Sequence, residues 1–177
     1  SDMTSKQFIN ALANGSEDVL AIVARILDEQ RAGYCVIGGL AVNAYAEPVV
    51  SLDLDIVIAR NAVSRFLRAT RSAGFTVEEF PNSTNLNFAE SDLRIQVQTD
   101  PRYQDFLGRA AIRPVLGYEL NVANISDVLS GKCWAYLDKS RRASKRQKDL
   151  ADIMRLVEVR PELRDMLPDV IQEALDR

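Results

Sequence analysis

The chain has 177 residues, 47% of them hydrophobic and 27% charged, a composition typical of one globular domain of ordinary size. It contains no histidine, which excludes an imidazole base, Ser-His-Asp and Cys-His catalysis, and the commonest zinc ligand. Its net charge of −3 argues against a protein whose main task is to coat nucleic acid.

Targeting and redox features are few. No apolar run approaches the ~20 residues of a membrane span, so we expect no membrane partner and a cytoplasmic location. The two cysteines, Cys35 and Cys133, lack metal-ligand spacing and are expected to pack as small hydrophobic residues.

In the first half of the chain, helices alternate with apolar strands. Helices are predicted over residues 4–13 and 16–30, then a strand over 34–37, a helix over 40–45 and a strand over 54–59. A helix over 61–73 follows, and it ends at Gly74.

The second half changes from strands to helices. Short strands are predicted over 75–80, 85–89 and 93–97, followed by a hairpin whose strands, 112–115 and 118–122, flank Leu116-Gly117. Helical patterns then cover 125–137, 144–159 and the stretch from Pro161 to the C-terminus.

This order of elements predicts an α/β (α+β) fold with a mixed sheet of about five strands. We expect a single domain over residues 4–177, with the sheet core in 34–123 and a helical C-terminal part in 125–177.

Two short motifs carry the chemistry. Asp53 and Asp55 lie one residue apart in a strand, so both side chains project from the same face and can form a divalent-metal clamp. Gly38 and Gly39 connect the preceding strand to a helix, where free backbone N–H groups favour phosphate. Together they suggest metal-assisted phosphoryl or nucleotidyl transfer.

The strand, Gly-Gly turn, helix and Asp-x-Asp strand resemble the nucleotidyltransferase superfamily related to DNA polymerase β, and within it the small bacterial AbiEii-like group. The resemblance covers roughly residues 34 to 157. It implies Mg²⁺ or Mn²⁺ on Asp53 and Asp55, a nucleoside triphosphate as substrate, and a hydroxyl of RNA, protein or a small molecule as acceptor. By analogy it also suggests a toxin role with a cognate antitoxin.

A third carboxylate is expected on a neighbouring strand, where the family orients or deprotonates the acceptor. Gln96 occupies that position here, or Gln98 in the other register, and neither amide can act as a base. Asp100 could supply the group if the strand continued, but Pro101 favours a turn with Asp100 as its cap.

The remaining site residues follow from the resemblance. Ser51 keeps the hydroxyl of the Arg-Thr pair that often precedes Asp-x-Asp, whereas the arginine is replaced in Val49-Val50, so a nucleotide should be held less tightly. Lys132 and Arg142 would reach toward the triphosphate. Asp149 and Asp152 would buttress them or help to position the acceptor, although a solvated basic loop with local ion pairs is the alternative.

Two further features have structural explanations. Arg65, Arg68 and Arg71 form a basic stripe on one helix that is more often a solvated face than an RNA contact. Trp134 is more often a core residue than a platform for base stacking.

Three functions remain open from the sequence. One is a metal-dependent nucleotidyltransferase, supported by the intact Gly-Gly and Asp-x-Asp motifs. Another is a catalytically impaired nucleotide- or partner-binding module, supported by Gln96 and Val49-Val50. The third is a purely structural interaction protein with no nucleotide site.

Overall fold

The computed structural model describes residues 18–177, and the helix predicted over residues 4–13 lies outside them. The α-helices of the described part are α1 (Val19–Glu29), α2 (Gly38–Val42), α3 (Val63–Ser72), α4 (Ile125–Leu137), α5 (Ala143–Val159) and α6 (Asp169–Leu175). Shorter 3₁₀ segments cover Arg60–Ala62, Pro101–Arg109 and Pro161–Met166.

One mixed sheet forms the centre of the fold. Its strands are β1 (Tyr34–Ile37), β2 (Asp53–Ile58), β3 (Thr76–Glu79), β4 (Ser83–Asn87), β5 (Arg94–Gln98), β6 (Ala111–Val115) and β7 (Tyr118–Val122). They lie in the order β3-β4-β5-β2-β1-β7-β6. The pairs β1/β7 and β2/β5 are parallel, and the other neighbours are antiparallel.

The predicted fold class is confirmed, but the predicted strand count is wrong: the sheet has seven strands rather than about five. The two edge strands, β3 and β6, account for the difference. Both are predicted as strands, over 75–80 and 112–115, but nearly all their residues are exposed or half-buried, so their burial does not show that they belong to the sheet. Backbone pairing with β4 and β7 decides it.

The core lies on both sides of the central strands. Helix α1 begins after Asp18, whose carboxylate accepts a hydrogen bond from the Ala21 N–H (3.0 Å). It buries one apolar stripe and packs against α3. In β2, Leu54 and Ile56 are buried, whereas Asp53 and Asp55 alternate with them on the other face.

The hairpin between β6 and β7 forms as the sequence predicts. Leu116 (φ 51°) and Gly117 (φ 83°) both have positive φ, as a type I′ turn requires. The helix predicted from Pro161 onward is interrupted at Pro168, which separates the 3₁₀ segment from α6.

Sequence patterns missed the 3₁₀ segment Pro101–Arg109, which packs on α4. The Trp134 ring lies 5.0 Å from Tyr103 and 5.6 Å from Phe106, centroid to centroid, and the Arg102 guanidinium lies 4.6 Å from the Trp134 centroid. Trp134 is therefore part of an aromatic cluster. No helix in residues 18–177 has the length and apolar character needed to cross a membrane.

The arginines of the basic stripe on α3 differ in their contacts. Arg65 donates to the backbone carbonyls of Gln30 (2.9 Å), Arg31 (3.3 Å) and Asn61 (2.8 Å), which ties α3 to the C-terminal end of α1. Arg68 is exposed and makes none of these contacts.

We therefore expect Arg65→Ala to lower the free energy of unfolding by about 1–3 kcal/mol, because three carbonyls lose a charged donor. Arg68→Ala on the same helix serves as the matched control and should change it by less than ~0.5 kcal/mol. Urea denaturation measures both values, and equal effects of the two substitutions would contradict a structural role for Arg65.

Candidate functional site

The carboxylate pair, Asp53 and Asp55, lies where β1 and β2 meet the glycine turn. Antiparallel pairing puts Ile37 opposite Asp55, so the next residue, Gly38, starts α2 directly beside the Asp55 side chain. Gly38 has φ +71°, and a Cβ at this position would collide with Oδ2 of Asp55. Only glycine allows this close approach.

Helix α2 has five residues, so its dipole adds less to phosphate binding than the sequence pattern suggests. The backbone N–H groups of its first turn still have no partner within the helix. Ser51 lies close by: its Oγ is within van der Waals distance of the position that a Cβ on Gly39 would take. The Ser51 hydroxyl also accepts a weak hydrogen bond from the Asp53 N–H (3.3 Å).

Asp55 is partly buried, and no donor within residues 18–177 hydrogen-bonds to its carboxylate. Burial raises the pKa of Asp55 to about 6; the charge of Lys132 opposes this rise and that of Asp53 adds to it. An unpartnered carboxylate in such a position has the properties of a ligand site for a hard cation.

Asp53 differs from Asp55 because it has a partner. The Arg94 Nε donates to Asp53 Oδ1 at 2.7 Å, and both side chains are largely exposed. Arg94 is on β5 and is the register partner of Asp53 in the parallel β2/β5 pair.

Gln96 lies on β5 in register with Asp55, so it is directly beside that carboxylate. It is the residue at which we expected the third carboxylate from the sequence. Its amide nitrogen donates to Asn85 Oδ1 (3.2 Å). Asp100 instead caps the following 3₁₀ segment and pairs with Arg102 (3.0 Å). Residues 18–177 contain no group of three or more acidic or cysteine side chains suited to a metal.

Lys132 is held in an ion network between α4 and α5. Its Nζ lies 3.2 Å from Asp149 Oδ1 and 2.9 Å from Asp152 Oδ2, and only 11% of its side chain is exposed. Burial disfavours the charged ammonium, but Asp152 and Asp149 outweigh this and raise the pKa of Lys132. Asp149, which is 1% exposed, also accepts from Arg141 Nε at 2.7 Å.

The network continues to the loop before β2. Asp152 pairs with Arg155 (2.8 Å), and Arg155 donates to Asn43 Oδ1 (2.9 Å) and the Glu47 carbonyl (2.5 Å). The Asn43 amide in turn bonds both the N–H and the carbonyl of Val49. The helical C-terminal part therefore supports the segment that leads into the carboxylate pair.

A pocket of about 380 Å³ lies beside the carboxylate pair, and we call it the basic pocket. Its lining side chains are all cationic: Arg94, Arg141, Arg142 and Lys145. Arg94 and Arg141 are paired with Asp53 and Asp149. Among residues 18–177, Arg142 and Lys145 have no carboxylate partner, so their charges are free to meet an anion.

Most predicted site residues come together here, namely Gly38, Gly39, Ser51, Asp53, Asp55, Gln96 and Arg142. Lys132 and Asp149 lie behind them in the ion network. Sequence reasoning missed Arg94, Arg141 and Lys145 as pocket residues. Arg94 becomes recognisable only through the pairing of β2 with β5. Arg141 and Lys145 belong to the basic loop and helix start around Arg142, for which the sequence also allowed a solvated role.

Neither protein-family models nor curated proteins match the chain. Solved structures do match its fold. The chain is similar to the antibiotic-resistance factor ANT(2'')-Ia (TM-score 0.63, 12% identity, 89% of each chain covered). It is also similar to the lincosamide antibiotic adenylyltransferase LnuA (0.57, 11%, 81% of this chain and 99% of that one). A nucleotidyltransferase-like protein from Paracoccidioides brasiliensis matches at 0.54 with 17% identity, covering 89% and 88%. The fold is thus that of nucleotidyltransferases.

The unpartnered carboxylate of Asp55 should weaken the fold. Because its pKa is raised to about 6, the penalty is fully present above pH 6 and is relieved as the pH falls toward 4. Asp55→Asn in EDTA should raise stability at pH 7.5 by about 1–3 kcal/mol, or roughly 2–4 °C in Tm per kcal/mol. Asp53→Asn removes a like charge beside Asp55 but also the partner of Arg94, so it should give a smaller gain. A Tm of Asp55→Asn at or below wild type at pH 7.5 would contradict this reading.

We expect Lys132 to stabilise the fold and Arg142, at the surface of the pocket, to contribute little to stability. Lys132→Met removes the cation shared by the buried Asp149 and the half-buried Asp152, which keep Arg141 and Arg155 as partners. We therefore expect a loss of about 1.5–3 kcal/mol in the free energy of unfolding. Arg142→Ala should change it by less than ~0.5 kcal/mol. Chemical denaturation of both variants measures the difference, and a Lys132→Met protein as stable as wild type would show that Lys132 is dispensable to the ion network.

Proposed function

We propose that this protein transfers a nucleoside monophosphate from a nucleoside triphosphate to a hydroxyl acceptor with the help of Mg²⁺ or Mn²⁺. One observation carries the proposal: the unpartnered carboxylate of Asp55 lies against the glycine turn at Gly38 while the basic pocket opens beside it. A site for a hard cation and a site for phosphate thereby adjoin.

Asp55 and Asp53 are the residues that would hold the metal. When bound, a divalent ion neutralises phosphate oxygens and polarises the α-phosphorus toward attack. Arg142 and Lys145 would bind the β- and γ-phosphates, and Arg141, held by Asp149, would keep a guanidinium at the pocket wall. Lys132 would act through Asp149 and Asp152 as a positioning residue.

In the proposed reaction the acceptor oxygen forms a bond to the α-phosphorus. The bond from that phosphorus to the oxygen bridging to the β-phosphate breaks, and pyrophosphate leaves with the electron pair. The hydroxyl proton passes to water, because Gln96 has no basic oxygen to receive it. Since a positioned base is typically worth ~10²–10⁴ in rate, turnover should be slow.

The similarity of the fold to that of an adenylyltransferase supports nucleotidyl transfer as the reaction type, while the acceptor of this chain stays open among RNA, protein and small molecules. An AbiEii-like toxin role with an antitoxin partner remains an analogy from sequence. Residues 18–177 form the sheet and the helical part that we treat as one nucleotidyltransferase-like domain.

A second candidate is a binding module that takes up nucleotide without transferring it. The observation in its favour is Gln96, which stands in register with Asp55 and is hydrogen-bonded to Asn85. Both candidates require the same metal and nucleotide site, and they differ only in whether product forms.

The two are tested by calorimetric titration of MgATP and MgCTP followed by a transfer assay with labelled nucleotide and cell extract. Asp53→Asn/Asp55→Asn should abolish Mg²⁺-dependent binding with the fold intact, because the oxygen ligands lose their charge. Glu78→Gln/Glu79→Gln, which removes two charges from the exposed edge strand β3, is the matched control and should bind as wild type does.

Binding followed by labelled product supports the transferase, and binding without product supports the module. Equal nucleotide affinity of wild type and the Asp53/Asp55 double variant would refute both.

A further inference from the structure

The site face of β2 and β5 presents four polar side chains in two register pairs. Parallel pairing sets Asp53 beside Arg94 and Asp55 beside Gln96. Residues between them, Leu54 and Ile95, are buried on the opposite face. The four groups therefore form a small rectangle made of two carboxylates, one guanidinium and one amide.

Its position in this rectangle places Arg94 within hydrogen-bonding distance of the carboxylate pair. Its Nε lies 2.7 Å from Asp53 Oδ1, while 68% of its side chain and 47% of that of Asp53 are exposed. An ion pair this exposed adds little to stability. The ion pair matters electrostatically instead. The guanidinium places a permanent positive charge beside Asp53 Oδ1, one of the four carboxylate oxygens that could bind a metal.

Two-metal sites hold their ions ~3.5–4 Å apart and need enough carboxylate charge to offset the repulsion between them. Here Asp53 and Asp55 are the acidic groups of the rectangle, and Arg94 already compensates part of their charge. The position next to Asp55, where a third carboxylate would stand, carries the neutral amide of Gln96. The negative charge and the free carboxylate oxygens of the rectangle are therefore enough for one divalent ion.

We infer that the site binds a single divalent ion, on Asp55 and the oxygen of Asp53 that Arg94 leaves free, and that Arg94 occupies the place of a second ion. Its guanidinium lines the basic pocket, so it is also placed to contact a phosphate of the bound nucleotide. This inference rests on the proposed metal and nucleotide site and adds the number of ions and the role of Arg94.

Electron paramagnetic resonance of Mn²⁺ tests the inference without turnover. The protein is titrated with Mn²⁺ and an equimolar ATP analogue whose α–β bridging oxygen is a methylene. Wild type should bind one Mn²⁺ per chain and give the hyperfine pattern of an isolated ion. Two ions per chain with the spectrum of a magnetically coupled pair would overturn the inference.

Variants of the rectangle extend the test. Arg94→Ala/Gln96→Asp removes the guanidinium and adds a carboxylate beside Asp55, so it should bind a second Mn²⁺ and give a coupled spectrum. Arg94→Lys retains the charge and should keep one ion. The control Arg25→Ala removes an exposed arginine from α1 and should behave as wild type. A double variant that folds, by circular dichroism, and still holds one ion would show that Arg94 does not exclude the second.

Failure of the inference is distinct from failure of the proposed function. If wild type gives the same spectrum as the analogue alone, and Asp53→Asn/Asp55→Asn changes nothing, the metal site itself is refuted. If a coupled pair appears and is lost in that double variant, the proposed function stands and only the single-ion assignment fails.

Discussion

The arrangement of the site depends on the close approach between the carboxylate of Asp55 and the backbone of Gly38. Antiparallel register of β1 and β2 brings them together, and the absence of a Cβ at Gly38 makes the contact sterically allowed. This contact fixes where the glycine turn lies relative to the carboxylate pair. Any metal and phosphate bound there would share one small volume.

Around this contact the protein concentrates charge that a stable fold would avoid. The carboxylate of Asp55 is partly buried, and no hydrogen-bond donor of residues 18–177 contacts it. Arg142 and Lys145 carry positive charges that no carboxylate of the described chain pairs with. By contrast, the charges one layer behind, Lys132 and Asp149, are mutually satisfied. Unpaired groups at the surface of the site and paired groups beneath it are the distribution expected of a preorganised binding site on a rigid support.

The helical C-terminal part has two roles in this arrangement. It provides three of the four cations of the basic pocket, and through Arg155 and Asn43 it ties down the loop that leads into β2. The sheet alone would present two aspartates and a glycine turn. Packing of α5 against α2 and α4 converts that edge into a pocket with a charge suited to a triphosphate.

From sequence alone, the fold class, the hairpin turn and the pairing of a glycine turn with Asp53 and Asp55 could be predicted, because each rests on local spacing and turn chemistry. Sequence could not determine which of the predicted strands join the sheet, the Pro101–Arg109 segment or the partner of Asp53. Those depend on backbone pairing and packing between residues far apart in the chain. Arg94 is the clearest case: 41 positions separate it from Asp53, and only the parallel register of β2 and β5 joins them.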